Sequence, residues 1–156
     1  MNSLAQLVNE VDVNQLSLDD YQRHFAGCLV KTHDGRLLLQ KRGADWDRFP
    51  GMLATFGGQL DAGEAPIDGI KRELAEELGA KFGSDEALYL GAFTKVGLEN
   101  ALIHAYWWHD ARASISGCYE GEPAYFDDAE QILAQAEITP DVFWIVNICL
   151  SRALIA

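Results

Sequence analysis

The sequence predicts an α+β domain in which a mixed β-sheet is covered by helices on both faces. Three observations carry that expectation: two apolar runs joined by an Asp-Gly turn, an amphipathic helix set between strand-like segments, and an apolar helix near the end of the sequence. The 156 residues suit one domain, taken as 1–156 with residues 1–20 as an N-terminal extension. A hydrophobic content of 49% is enough for a substantial core. No linker or internal repeat divides the chain.

Phe25 to Lys31 and Arg36 to Arg42 read as strands around His33-Asp34-Gly35, where Asp-Gly supplies a hairpin turn. Met52 to Phe56 reads as a short strand entering the pair Gly57-Gly58. Pro66 suits a first helical turn and Gly79 a helix end, which bounds a helix of about 13 residues. Ala87 to Lys95 and Ala101 to His109 read as strands, the second alternating Leu102, His104, Tyr106 and Trp108 against Ile103, Ala105, Trp107 and His109. Phe126 to Ala136 should hold a short helix. Thr139-Pro140-Asp141 then opens the final helix with an N-cap, a proline and a first-turn acid. That helix is apolar nearly all round, so it is either deeply packed or shared with a second copy in a homodimer.

A net charge of −12 argues against binding long nucleic acids, whose affinity comes mainly from Lys and Arg neutralising phosphates. A small phosphorylated substrate would need a metal and a few local cations. Cys28, Cys118 and Cys149 are odd in number and far apart, which fits a reducing compartment rather than a disulfide framework. The N-terminus lacks a basic stretch followed by an apolar one, and Val142 to Leu150 is too short to cross a bilayer. A soluble cytoplasmic protein without membrane association is expected.

The chemistry concentrates between Gly58 and Ala80, in the pattern Gly58-x5-Glu64-x7-Arg72-Glu73-Leu74-Ala75-Glu76-Glu77-Leu78-Gly79. At about 100° per residue, Ile67, Ile70, Leu74 and Leu78 form one helical stripe. Glu73, Glu76 and Glu77 stand at i, i+3 and i+4 and form a second stripe roughly 110° away. Exposed like charges at these spacings repel by a few tenths of a kcal/mol per pair, so a helix built only for stability would not collect them. A divalent cation reverses the sign, and hard cations such as Mg²⁺ take carboxylate oxygens, waters and phosphate oxygens. Gly69 inside this helix costs about 1 kcal/mol against alanine, which close packing would explain.

This segment resembles the signature box of the Nudix hydrolases, metal-dependent enzymes that cleave diphosphate linkages. It departs from the family pattern only at Ala80, where a larger aliphatic residue is usual. The resemblance implies an α/β/α sandwich and hydrolysis of a nucleoside triphosphate or a nucleoside diphosphate linked to another group, with Mg²⁺ as cofactor and Mn²⁺ as its substitute. Carried over residue by residue, it makes Glu73, Glu76 and Glu77 metal ligands, with a backbone carbonyl from Gly58 or Gly57. Arg72 orients Glu73 or Glu64 by an ion pair, and Glu64, Arg72, Glu73 and Glu76 make up the catalytic set. The general base stays open between the box glutamates and a carboxylate downstream, where Glu120 and Glu122 lie; Glu120 is also a ligand candidate. Arg42 is placed to grip a substrate phosphate. Phe56, Trp46, Phe49, Tyr106 and Trp108 are candidates for stacking on a base, Phe56 first among them. A nucleotide-sensing module without catalysis is the alternative, although such proteins often lose box glutamates that are all present here. An isopentenyl diphosphate isomerase relative is disfavoured because Ala54-Thr55-Phe56-Gly57 lacks a cysteine.

Overall fold

A computed structural model describes residues 3–156, so Met1 and Asn2 of the expected extension lie outside the described residues. Eight strands form one mixed sheet: β1 (Val8–Val11), β2 (Arg23–Lys31), β3 (Leu37–Lys41), β4 (Leu53–Ala54), β5 (Phe56–Gln59), β6 (Ala87–Lys95), β7 (Leu98–His109) and β8 (Glu122–Phe126). Three helices accompany them: α1 (Pro66–Leu78), α2 (Ala129–Leu133) and α3 (Pro140–Ser151). The hairpin expected around Asp34-Gly35 joins β2 to β3, with Val30 opposite Leu38 and Gly35 at φ 87°.

β2 is the central strand. Along one edge it runs parallel to β7, from Arg23 opposite Ala101 to Lys31 opposite His109. Its other edge is divided: β5 takes Phe25 to Cys28 and β3 takes Val30 and Lys31, both antiparallel. This division corrects the single strand expected over Met52 to Phe56. The chain pairs with β3 through Leu53 and Ala54, passes Thr55, and then changes neighbour to pair with β2 from Phe56 onwards. Gly57 and Gly58 therefore lie within β5 and not beyond it.

Two strands have no counterpart in the sequence reading. β1, within the N-terminal extension, lengthens the sheet by pairing Val8 to Val11 with Lys95 to Ala92 of β6. β8 pairs Glu122 to Phe126 with β3, from Lys41 back to Leu37. Local composition gives little sign of β8, because Pro123 lacks an amide hydrogen and is tolerated only at a sheet edge.

Both faces of the sheet are covered. On one face Ile70, Leu74 and Leu78 of α1 meet Cys28, Val30, Leu38, Phe56, Tyr106 and Trp108. On the other, α2 and α3 lay Ile132, Val142, Ile145 and Val146 over Leu29, Leu39, Phe93, Ile103 and Trp107. The strand alternation read for β7 is therefore real, with both faces buried. α3 is taken up by the chain's own core through Val142, Ile145, Val146 and Cys149, all fully buried. Its Thr139 cap accepts a hydrogen bond from the Val142 amide at 3.3 Å. Among the described residues no helix is long and apolar enough to cross a membrane.

α1 begins at Pro66 and ends at Gly79, whose φ of 65° is the left-handed conformation that favours glycine. Gly69 is explained by space: a Cβ there would stand 2.1 Å from a methyl of Leu60.

On the α1 face of β7, His104 is 2% exposed. Its Nδ1 lies 3.0 Å from the Tyr89 hydroxyl, its ring stacks on His24, and its Nε2 is buried without a hydrogen-bond partner among the described residues. Burial, and then the charge of His24, lowers its pKa from 6.5 to about 4. The unfolded chain thus takes up a proton near pH 6.5 that the fold refuses until about pH 4, so this contribution to stability is complete above pH 6.5 and falls away below it. Going from pH 7.5 to 5 should cost the wild type about 2 kcal/mol more than a His104→Leu variant, measured by urea unfolding at both pH values.

Candidate active site

Glu73 and Glu77 of α1 face Gly58 and Gly57 of β5, and one guanidinium ties this stripe to the turn that follows β5. Arg72 grips Glu64 with both arms, Nε to Oε2 and Nη2 to Oε1, each at 2.9 Å. Its Nη1 donates to Glu73 Oε1 at 3.0 Å and reaches Glu76 Oε1 at 3.5 Å, while Nη2 also donates to the Gln59 carbonyl at 3.2 Å. The hydrogen bonds from Arg72, joined by the Asp61 amide, pull the Glu64 pKa down to about 2. The alternative between Glu64 and Glu73 thus resolves into both, with Glu64 holding Arg72 and Arg72 holding Glu73.

Glu73 is half-buried. Its desolvation outweighs the pull of Arg72 and raises its pKa. The carboxylate lies over Gly58, so closely that a Cβ there would stand 2.7 Å from Glu73 Oε1. Glu77, only 1% exposed, is wedged between α1 and the sheet. Its Oε1 accepts from the Gly57 amide at 2.9 Å and its Oε2 from Gln40 Nε2 at 3.2 Å. Burial first, and then the charge of Glu120, pushes its pKa up to about 9. Glu76 projects to the solvent rim.

Glu120 comes from the segment between β7 and β8. Its carbonyl accepts the other Gln40 hydrogen bond at 3.0 Å, and its charge is felt at Glu73 and Glu77. The structure thus brings Glu73, Glu77 and Glu120 to the Gly57-Gly58 corner, with Glu76 at its edge. Glu122 is on β8, opposite Lys41, outside this group. Among the described residues no three His, Cys, Asp or Glu side chains close into a ready-made cage. Glu73 bonds to Arg72, and Glu77 to Gly57 and Gln40, while the two carboxyls stay close enough to act on each other. The donor set is all oxygen, the chemistry that suits Mg²⁺ or Mn²⁺.

A cavity of about 290 Å³ opens beside this corner. Gly57, Gly58 and Glu120 form one part of its wall; elsewhere Arg23, Arg42, Arg48 and Lys95, the last paired with Asp141 at 3.0 Å, stand among apolar and small residues such as Phe25, Phe49 and Ile103. Arg42, expected to grip a phosphate, lines this cavity, steadied by a 2.7 Å bond from Nε to the Arg48 carbonyl and by the Trp46 ring at 4.7 Å. Phe56 does not: it is 0% exposed, packed beneath α1, because its position in β5 turns the ring into the core. Tyr106 and Trp108 are buried in the same core. Of the stacking candidates, Phe49 lines the cavity, with Lys95 Nζ 5.0 Å from its ring centre.

Arg23, Arg48, Lys95, Asp141 and Gln40 are not singled out by the sequence. Gln40 leaves no distinguishing trace there, since it leads directly into Lys41 and Arg42 at the polar end of β3. In Arg72→Ala, the Glu64 carboxyl should return from about 2 toward its ordinary 4.5, followed by ¹³C NMR titration of the side-chain carboxyls.

Known proteins share parts of this sequence or its fold. Nucleoside triphosphatase NudI of Escherichia fergusonii is 43% identical over 54 residues, which are 35% of this chain and 38% of that protein. The chain thus spans well under half the length of the curated relatives it matches. Among solved structures, the MutT protein of Methanosarcina mazei Go1 has the same fold, with a TM-score of 0.66 and 19% identity over 87% of this chain and 99% of that one. A bifunctional NMN adenylyltransferase/ADP ribose pyrophosphatase of Francisella tularensis, complexed with AMP and a Mn ion, gives a TM-score of 0.63 at 15% identity over 87% of this chain and 43% of that one. The NUDIX domain matches residues 21–143, most of the sequence, and the chain belongs to the Nudix family.

Proposed function

We propose that this protein is a divalent-cation-dependent pyrophosphohydrolase that cleaves a diphosphate bond in a nucleoside triphosphate or a nucleoside diphosphate-linked small molecule. One observation carries the reading: a carboxylate corner built of Glu73, Glu77 and Glu120 adjoins a cavity lined by three arginines and by Lys95, itself paired with Asp141, in a chain with only 12 Lys and Arg and a net charge of −12. Cations gathered there have a purpose that the overall charge does not suggest, which is to receive an anion.

Glu73, Glu76, Glu77, Glu120 and the Gly58 carbonyl are the groups that would hold Mg²⁺, or Mn²⁺ in its place. Bound there, the ion would polarise the diphosphate and lower the pKa of a water molecule. Arg42, Arg48 and Arg23 neutralise the phosphates, and Arg42, pre-oriented by the Arg48 carbonyl and Trp46, is set for a two-armed contact. Phe49 offers a ring to the base. Arg72 fixes Glu73 over Gly58, and Glu64 acts through Arg72, since both its oxygens are engaged by it. Glu120 lines the cavity within reach of the Arg42 charge, and one of these carboxylates accepts the proton of the attacking water.

Purified protein with Mg²⁺ should hydrolyse at least one member of a panel of nucleoside triphosphates, nucleotide sugars, ADP-ribose and dinucleotides, with products identified by mass. No turnover across the panel would remove the proposed activity, and nucleotide binding indifferent to Mg²⁺ would favour a sensor. Glu77→Gln should lower kcat/KM by about a hundredfold or more while the chain stays folded by circular dichroism. Arg42→Ala should act mainly on binding and raise KM by about tenfold, as loss of one charge-assisted phosphate contact implies.

A further inference from the structure

Glu120 reaches the carboxylate corner on a stretch without strand or helix, and that stretch is pinned at three places. At its start, Asp110 is 2% exposed at the exit of β7. Its Oδ1 accepts from the Ser114 amide at 2.8 Å and the Ser114 hydroxyl at 3.1 Å, and its Oδ2 accepts from the Ile115 amide at 3.0 Å. The next residues seat on the end of α1: the Ser116 amide donates to the Leu78 carbonyl at 2.9 Å and the Tyr119 amide to the Glu77 carbonyl at 2.8 Å. Carbonyls in the last turn of a helix lack partners within it, so this stretch supplies them. The fit is close, since a Cβ on Gly79 would stand 2.0 Å from Ser116 Oγ. At the far end, Gln40 bonds to the Glu120 carbonyl and to Glu77 Oε2 together.

We propose that Asp110 is a positioning residue for the cation site: by folding residues 110–115 into a fixed turn, it delivers Ser116 to Glu120 onto the end of α1 and so brings Glu120 beside Glu77. The inference rests on the metal-site reading above. A carboxylate at position 110 is required because it offers two acceptor oxygens to three donors, whereas an amide has a single acceptor oxygen and would face the Ile115 amide with its own N–H groups. Tyr119 and Glu120 are neighbours in sequence, so the bond from the Tyr119 amide to Glu77 couples the backbone of one ligand candidate to that of the other. Loosening the turn separates the two carboxylates without touching either. Groups that orient metal ligands in this indirect way typically govern about ten- to a hundredfold of metal affinity.

The test compares wild type, Asp110→Asn, Ser114→Ala and Ile132→Val, the last a core change on the opposite face of the sheet. Mn²⁺ affinity is measured by electron paramagnetic resonance on the full chain, alongside thermal midpoint, kcat and KM. Asp110→Asn should weaken Mn²⁺ binding by about tenfold or more and lower kcat, with nucleotide KM changed by less than about twofold. Ser114→Ala, which removes only the hydroxyl bond, should weaken Mn²⁺ binding by about two- to threefold. Ile132→Val should lower the midpoint and leave Mn²⁺ affinity unchanged. Wild-type affinity in a folded Asp110→Asn protein overturns the proposal, as does wild-type affinity in Ser114→Ala if the Asn variant does not fold. An equal loss of affinity in Ile132→Val also overturns it, since the effect would then follow stability alone. A wild type that binds no Mn²⁺ overturns the metal-site reading itself, a result separate from any variant's failure.

Discussion

Everything in the active-site corner follows from holding several carboxylates close together with a single guanidinium among them. Arg72 contacts Glu64, Glu73, Glu76 and the Gln59 carbonyl. A partly exposed ion pair contributes at most about 1 kcal/mol to stability, so this network is better understood as a device for direction than for strength. The two-armed grip on Glu64 fixes the plane of the guanidinium, and that plane then aims Nη1 at Glu73. The buried Glu77 is held differently, by a backbone amide and an uncharged side chain, and its high pKa records the cost of placing a further negative charge there.

The sheet makes this crowding geometrically possible. β5 runs beside β2 with Gly57 opposite Gly27 and Gly58 opposite Ala26. Small residues on both strands leave room for Glu73 to lie against the backbone and for Glu77 to reach the Gly57 amide. The apolar stripe of α1 presses Ile70, Leu74 and Leu78 into the core on the same face, so burying that stripe carries the acidic one to the sheet edge. Packing and chemistry are thus adjacent faces of one helix, and the hydrophobic effect sets the position of the charges.

Charge is distributed against the overall balance. A surface of net charge −12 repels phosphates at a distance, whereas Arg23, Arg42 and Arg48 gather at one concave site, with Lys95 paired there to Asp141. These four come from β2, the stretch between β3 and β4, and the end of β6. Their convergence follows from strand order, in which β6, β7, β2 and β3 are successive neighbours.

Spacing along the chain was sufficient to determine α1, its boundaries at Pro66 and Gly79, and the gathering of Glu73, Glu76 and Glu77 on one stripe, because helical periodicity is a local property. The β2–β3 hairpin, the long strands β6 and β7 and the capped start of α3 were legible for the same reason. Strand neighbours were decided only by tertiary structure: the split at Thr55, the edge strands β1 and β8, and the placement of Phe56 in the core depend on pairing with residues remote in sequence. So do the cationic cavity wall, the bond from Gln40 to Glu77 and the turn around Asp110. Each joins residues on separate elements, and no periodicity within a single segment encodes which segments will meet.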